Sequence, residues 1–592
     1  MVPDIGEYGF LSDCQSAALV SRNGSVDWWC VPRFDSPSVF GRLLGPDAGH
    51  WSLHPAEPYE TSRGYLEDSL VLRTVFRTST GEVAVTDALA TEPGTAGHQV
   101  GRNSPHILLR TVEGLRGSVG LVTDFAPRME YGLTVPHLAR RPDGVRARGG
   151  PAALLLTAPV PLDHQPGRAT ARFAVRAGDR LDFRLAYRRT STLASPGHPD
   201  RDSLLPTVED TTRAWRSLAA MHHTYDGPYR DAVRRSALVL QGLTYQPSGT
   251  VLAAATTSLP EQPGGDLNFD YRFAWLRDLG LTVRALWVAA CPDEAGRLFR
   301  WISDAAGHLD GSHIQIMYGA EGERDLTEHE LEYLPGFGGG GPVRVGNAAW
   351  RQEQRDVTGE VLDAAYQLRD QVGEPEPAVT DLLVALADQA AATWEDPDAG
   401  MWETRDQHRH YVSSKVMCWV ALDRAVALAP RLGGGARPES WAKVRDRIQD
   451  EILAKGWNDE TGAYTGAFGS TELDASILLM PIVGFLPATD DRMWATIEVI
   501  ERELGENGLV RRWRDDPMGF LICTFWLVEC LALGGAADRA REWFDRACGY
   551  AGDLGLMPEG GDPATGALRG NYPQAFSHVG LITAAWRLGQ CS

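Results

Sequence analysis

Glu395-Asp396-Pro397-Asp398-Ala399-Gly400-Met401-Trp402-Glu403-Thr404-Arg405-Asp406-Gln407-His408-Arg409-His410-Tyr411 is a long polar loop; near Val412 a helical apolar pattern starts, and the next break is the short turn Gly433-Gly434-Gly435. That unit recurs. From Pro228 onward, apolar residues at helical spacing mark about twelve helices, joined by connections that alternate between long and short. The short ones include Cys291-Pro292-Asp293, Pro487-Ala488-Thr489 and Gly534-Gly535. The long ones cover 246–273, 309–355, 395–411, 455–470, 506–517 and 552–572, well beyond the usual helix-to-helix connection of about two to eight residues. Up-and-down helices place alternate connections at opposite ends, so all the long loops meet at one mouth. Six helix pairs in a ring predict a double-layered (α/α)6 barrel, one helix of each pair inside.

Upstream the pattern changes. From Ile5 to about Tyr187 the chain shows short alternating runs such as Leu70–Phe76, His106–Val112 and Leu181–Tyr187, divided by Gly, Pro, Asn and Asp. This is the signature of an antiparallel β-sandwich. Asn23-Gly24, between Leu19–Ser21 and Val26–Trp29, is the clearest hairpin turn. The expected fold is therefore a multidomain β plus α chain: an N-terminal antiparallel β-sandwich over 1–206, a helical linker over 207–226 through Trp215 and Leu218, and an (α/α)6 barrel over 227–592.

At 592 residues and 43% hydrophobic, the chain can bury cores of this size. Its net charge, 57 − 78 = −21, is spread along the sequence. Nucleic acid and anionic membrane surfaces, which need a basic footprint, are not expected partners. No run reaches the ~18 apolar residues of a membrane span, and the start Met1-Val2-Pro3-Asp4 does not resemble a signal peptide. The eight cysteines show no C-x-x-C pair or metal-ligand spacing and read as reduced, buried small hydrophobes. A cytoplasmic protein is expected; homo-oligomerisation is left open. His222-His223 and His408-Arg409-His410 lack the i, i+4 spacing of a zinc site, so no metal centre is expected.

Two glutamates in the long loops stand out. Glu403 follows Trp402 and precedes the helix near Val412; Glu559, in Leu556-Met557-Pro558-Glu559-Gly560-Gly561, precedes the last helix. A ring brings both to the same mouth. Paired carboxylates across a sugar-sized pocket are what glycoside hydrolysis requires, one protonated to release the leaving oxygen and one ionised to activate water. Trp402 could raise the acid's pKa by restricting solvent. A lone loop glutamate is ordinarily surface charge; the joint placement argues otherwise. The same mouth should receive Tyr271, Trp275, Arg277 and Asp278 from the first long loop and Arg512 from the fifth. Asp270 and Asp278, beside Arg272 and Arg277, suit either a structural ion-pair network or a clamp on sugar hydroxyls. The 18 tryptophans, many near Gly and charged residues, suit sugar stacking as well as core packing.

These residues carry a resemblance. Gly24–Trp28 with Pro32–Phe40, Asp270-Tyr271-Arg272-Phe273-Ala274-Trp275-Leu276-Arg277-Asp278, Trp402-Glu403, Ser414–Asp423 and Gly570–His578 resemble glycoside hydrolase family 15, that of glucoamylase, glucodextranase and the actinobacterial trehalases, over nearly the whole chain. The resemblance implies an inverting exo-hydrolase that releases β-glucose from a non-reducing α-glucosidic end, with Glu403 as general acid, Glu559 as general base and Tyr271 orienting the attacking water. It implies that Arg277, Asp278 and Arg512 hold the glucose hydroxyls, that Trp275 and Trp402 wall the pocket, and that Gln354-Arg355-Asp356 adds a rim. No cofactor is required for two-carboxylate hydrolysis; phosphate and magnesium are associated with some trehalase relatives, by resemblance only.

The stretch Ser413–Asp423 is similar to the actinobacterial trehalases, which makes trehalose the leading substrate. A glucoamylase or α-1,6-glucosidase acting on isomaltose- or dextran-type links, and a hydrolase of a glucosylated metabolite, would use the same two glutamates. A catalytically weak carbohydrate-binding protein is the alternative of another class. Departures from the family pattern are Gly560-Gly561 after the base, a short Arg514–Gly519 stretch, and Phe269 where many relatives have Trp. Gln at Gly560 is expected to alter substrate preference more than stability.

Overall fold

The computed structural model describes residues 3–194, 205–222, 225–288, 292–306, 314–370, 375–405 and 407–591. Cys291, His223 and the segment entering the proposed boundary at 206 lie outside them.

The N-terminal part is a 15-stranded antiparallel sheet folded into two layers. Its hinge is the strand Ile107–Ala126. The first half of that strand pairs with Gly81–Leu89 and Arg180–Arg189, the second with His50–Pro55 and Arg168–Arg176. Alternating burial along Leu72–Thr78 and Gly144–Gly149 shows one face inward and one outward. Between the layers Trp51 packs edge-on against Phe183. The fully buried Arg110 binds Asp87 at 2.8 Å and donates to the carbonyls of Trp51 and Gly24 across the interior. The hairpin at Asn23-Gly24 joins Ala17–Ser21 to Ser25–Cys30. A Cβ at Gly24 would stand 2.4 Å from the Leu53 carbonyl oxygen, at φ +73°, so this turn requires glycine.

Helix α1 (Val208–Ala219) begins with a Thr207–Asp210 capping box and buries Trp215 and Leu218. Then follow α2 (Arg230–Leu243), α3 (Leu276–Val288), α4 (Pro292–Ala306), α5 (Val357–Leu368), α6 (Pro377–Thr393), α7 (Val412–Leu432), α8 (Pro438–Lys455), α9 (Leu479–Ile482, extended by a 3-10 turn from Ala475), α10 (Asp491–Leu504), α11 (Leu521–Leu533), α12 (Ala537–Cys548) and α13 (Ala575–Gly589). The odd-numbered helices from α3 onward contact one another in a closed inner ring, α3–α5–α7–α9–α11–α13, and the even-numbered ones pack outside it.

Sequence decides which layer each helix joins. α11, Leu-Ile-Cys-Thr-Phe-Trp-Leu-Val-Glu-Cys-Leu-Ala-Leu, is apolar on nearly every side and almost wholly buried. α12 buries only the stripe Ala540, Phe544 and Ala547. All the long loops lead into inner helices, at one end of the ring. None of the described helices is long and apolar enough to cross a membrane.

The sandwich joins the barrel through the stretch Pro32–Phe40 and its neighbours. Arg33 pairs with Glu321 and Glu323, Trp28 donates to the Ala255 carbonyl at 2.9 Å, and the buried Arg272 donates to the Ser36 carbonyl. Asp270 grips Arg272 through both oxygens at 2.8 and 2.6 Å. Of the two Asp–Arg pairs, this one is therefore structural.

Candidate active site

At the barrel mouth the long loops enclose a cavity of about 340 Å³. Glu403, Glu559, Tyr271, Trp275, Arg277, Asp278, Trp402 and Arg512 all line it.

Glu403 sits in a tightly constrained loop. Its own φ is +60°, a strained left-handed conformation for a residue with a side chain, of the kind that surrounding structure must enforce. The enforcement is visible. Thr404 bonds the Ala399 carbonyl through N–H and hydroxyl, Gln352 Nε2 donates to the carbonyls of Glu403 and Thr404, and Arg277 Nη1 donates to that of Met401. Gly400, at φ +70°, has Tyr411 2.7 Å from where a Cβ would stand. Trp275 Nε1 donates to Glu403 Oε1 at 2.6 Å and Arg277 lies 3.5 Å from the same oxygen. Oε2 carries no hydrogen bond among the described residues. Burial raises the Glu403 carboxyl above its ordinary range, against the pull of Arg277 and the Trp275 donor.

Glu559 directly precedes a strand of a five-stranded antiparallel sheet of very short strands, Gly505–Glu506, Leu509–Arg511, Gly519–Phe520, Gly560–Gly561 and Leu568–Arg569. It weaves two long loops together and so fixes Glu559, Arg512 and Phe520 relative to one another. Gln574 Nε2 donates to Glu559 Oε1 at 3.2 Å, and the nearby Tyr271 hydroxyl and Asn571 backbone N–H favour the ionised carboxylate. Below it, neutral His578 accepts from Met557 N–H and so donates through Nδ1 to Ser236. Burial first, then the charge of Glu261, raises Glu559. Burial, then Glu559, Glu261 and Glu403, pushes the Tyr271 hydroxyl well above its usual range.

Arg277 Nε bonds Asp278 at 3.1 Å. Both are nearly buried, and Asp278 and Glu403 keep the guanidinium charged despite burial. Arg512 is clamped by Asp516 at 2.7 Å and Glu261 at 2.6 Å and lies over the Phe520 ring at 3.9 Å. Trp402 donates to Asp474 at 2.9 Å, which fixes its ring as a wall.

Gln354 does not reach the cavity: it is 7% exposed, donates to Gln352 at 3.1 Å, and its Oε1 is buried with no partner among the described residues. The chain at 352–356 passes behind the Glu403 loop, so Gln352 supports that loop and Gln354 turns into the protein. Gly560 is also absent from the cavity wall; a Cβ there would stand 2.1 Å from the Gly519 carbonyl oxygen of the paired strand. Phe269 does line the wall, with Arg405 and Arg344 over its ring at 4.5 and 5.3 Å. Glu261, Gln574 and Phe576 also line the cavity, although no local pattern in the sequence singles them out. The last two lie inside the Gly570–His578 motif; Glu261 had only its place in a long loop to mark it. Among the described residues no group of three or more His, Cys, Asp and Glu is placed to hold a metal ion.

The model of glycosyl hydrolases family 15 matches residues 227–586. The chain belongs to this family. A trehalase-like N-terminal model matches residues 2–188 of this family 15 protein. Similar proteins include one named trehalase from Mycolicibacterium smegmatis, 38% identical over 98% of this chain and 91% of its own length. Another, from Mycobacterium tuberculosis, is 38% identical over 98% and 89%, and trehalase 1 of Sulfolobus acidocaldarius is 33% identical over 97% of each chain. Among solved structures, a bacterial glucoamylase complexed with acarbose superposes with a TM-score of 0.72 at 14% identity, over 99% of this chain and 94% of that one, a likeness of fold. The family 15 chain is a glycoside hydrolase built as an antiparallel β-sheet domain followed by an (α/α)6 barrel.

Proposed function

We propose that this protein is an inverting, exo-acting α-glucoside hydrolase whose substrate is trehalose. The observation that carries the reading is the convergence of Glu403 and Glu559, from separate loops, on one cavity, in a chain 38% identical over nearly its full length to proteins named trehalase.

Glu403 is the general acid. Trp275 holds one of its oxygens and the other is uncommitted, so the raised carboxyl can carry a proton to the glycosidic oxygen. Glu559 is the general base; donors from Tyr271, Gln574 and Asn571 favour its ionised form and orient it toward a water that Tyr271 helps position. Inversion requires room for that water, a carboxyl separation of about 6.5–9.5 Å. Arg277, Asp278 and Arg512 hold the glucose hydroxyls by charge-assisted hydrogen bonds, and Trp275 and Trp402 exclude solvent. Because both carboxyls are raised, the pH window with one ionised and one protonated lies above the ordinary carboxylate range.

The matches to 2–188 and 227–586 support a division into 1–206, 207–226 and 227–592. The free state of the seven described cysteines supports a cytoplasmic location. The test is glucose release from trehalose, maltose, isomaltose and longer dextrins. Preferential turnover of trehalose is expected; turnover of maltose or isomaltose alone would move the assignment to a glucoamylase-type activity, and silence on every member would overturn it.

A further inference from the structure

The cavity holds a third carboxylate that neither acid nor base chemistry uses. Glu261, from the first long loop, lines the pocket yet is only 4% exposed. Its Oε2 accepts from Arg512 Nη2 at 2.6 Å. Its Oε1 has no protein partner among the described residues and is not sealed from the cavity.

Arg512 does not need Glu261 to stay in place. Asp516 accepts from its Nε at 2.7 Å, from its Nη2 at 3.2 Å and from its backbone N–H at 3.2 Å, and the guanidinium stacks on Phe520 and Trp513. A buried carboxylate is costly to desolvate, and one with an oxygen left over is costlier. That cost is offset when the free oxygen meets a donor supplied by the ligand. In a pocket lined by tryptophans, arginines and carboxylates the donor available is a sugar hydroxyl, and a carboxylate acceptor fixed by an arginine forms a strong, oriented bond to it. Glu261 and Glu559 line the same cavity, and so does Arg512, which Glu261 holds, so a sugar ring seated beside Glu559 lies in the cavity that Glu261 faces.

We propose that Glu261 is a specificity-determining residue, its Oε1 accepting a hydrogen bond from one hydroxyl of the glucosyl ring seated beside Glu559. This rests on the α-glucoside reading above for the identity of the ring. The experiment therefore has two readouts, one independent of turnover. The first is binding of glucose and its four singly deoxygenated forms, at positions 2, 3, 4 and 6, by titration calorimetry. The second is kcat/KM for trehalose and the matching deoxytrehaloses. Both use the full chain, unsubstituted and as Glu261→Ala and Glu261→Gln. The glutamine keeps an oxygen for Arg512 but turns an amide donor to the cavity, and it covers the case in which the alanine variant fails to fold.

The unsubstituted protein is expected to discriminate against one deoxy sugar by at least about 10²-fold, as sites built to bond a hydroxyl do. Glu261→Ala should lose that discrimination to within about threefold, and Glu261→Gln, whose neutral amide replaces a charged acceptor, should cut it at least about tenfold, both keeping any preference at the other three positions. Variants that discriminate as the unsubstituted protein does at every position would overturn the proposal. If glucose binding shows the pattern but no glucoside is hydrolysed, the hydrolase reading fails and the assignment of Glu261 stands.

Discussion

Trp275 donates its indole N–H to Oε1 of Glu403 at 2.6 Å, so a residue at the entrance to α3 sets the direction of a carboxylate in the loop before α7. Glu403 cannot relax toward it freely, because its backbone is held at φ +60°. Orientation is supplied from outside its own loop, and the strained backbone is held by bonds within the loop and from Gln352 and Arg277 together, which is how a buried acid is kept ready.

Trp275→Phe removes the donor and keeps the ring. The indole bond lowers the Glu403 pKa, so its loss should raise that pKa further and move the alkaline limb of the kcat/KM profile to higher pH. kcat/KM itself should fall about 10- to 100-fold, the scale of lost support for a functional group. A pH–rate profile measures both; an unmoved alkaline limb would separate Trp275 from the acid.

Glu403→Gln and Glu559→Gln should each lower turnover at least ~10²-fold with the fold intact. Stability should respond as well. The folded pKa of Glu559 is raised from 4.5 to about 8, so its carboxyl favours the fold fully below about pH 4.5 and that contribution is lost as pH rises toward 8. Glu559→Gln, which cannot ionise, should gain in Tm relative to the unsubstituted protein between pH 5 and 8. Melting curves across that range check the sign.

Gly570→Ala should damage activity through Glu559. At φ +75° a Cβ would stand 2.1 Å from Glu559 Oε2 and 2.6 Å from its Cβ. Turnover should drop at least ~10-fold because a misplaced base loses its water; steady-state kinetics with a folded variant checks it.

Gly560→Gln should act opposite to the expectation drawn from the family pattern. Its Cβ meets the Gly519 carbonyl across a strand pair, backbone that cannot move aside cheaply. Tm should fall by several degrees while the relative rates on different glucosides stay constant; thermal melts and the substrate panel distinguish these.

The architecture was legible because it rests on features that sequence displays directly. Apolar residues on every side of α11 against a single stripe on α12 separate inner from outer helices, and glycine and proline mark the loops. Glu403 and Glu559 were legible through their place before inner helices. The sheet that carries Glu559 was not, since its strands of two or three residues have no periodicity to read. Gln354 and Gly560 show the same limit: membership of a long loop brings a residue near the mouth, but which side chains face the cavity depends on pairing between loops far apart in sequence. Glu261 is the converse, a loop residue whose partner Arg512 arrives from a different loop.

Glu403 and Glu559 acting as acid and base require cleavage of an α-glucoside with inversion. Proton NMR of the first turnovers on α,α-trehalose tests it most directly, before the released sugars interconvert. Inversion at one anomeric carbon predicts α- and β-glucose in equal initial amounts, one as leaving group and one from water attack. Release of α-glucose alone would mean retention and would rule out the inverting pair.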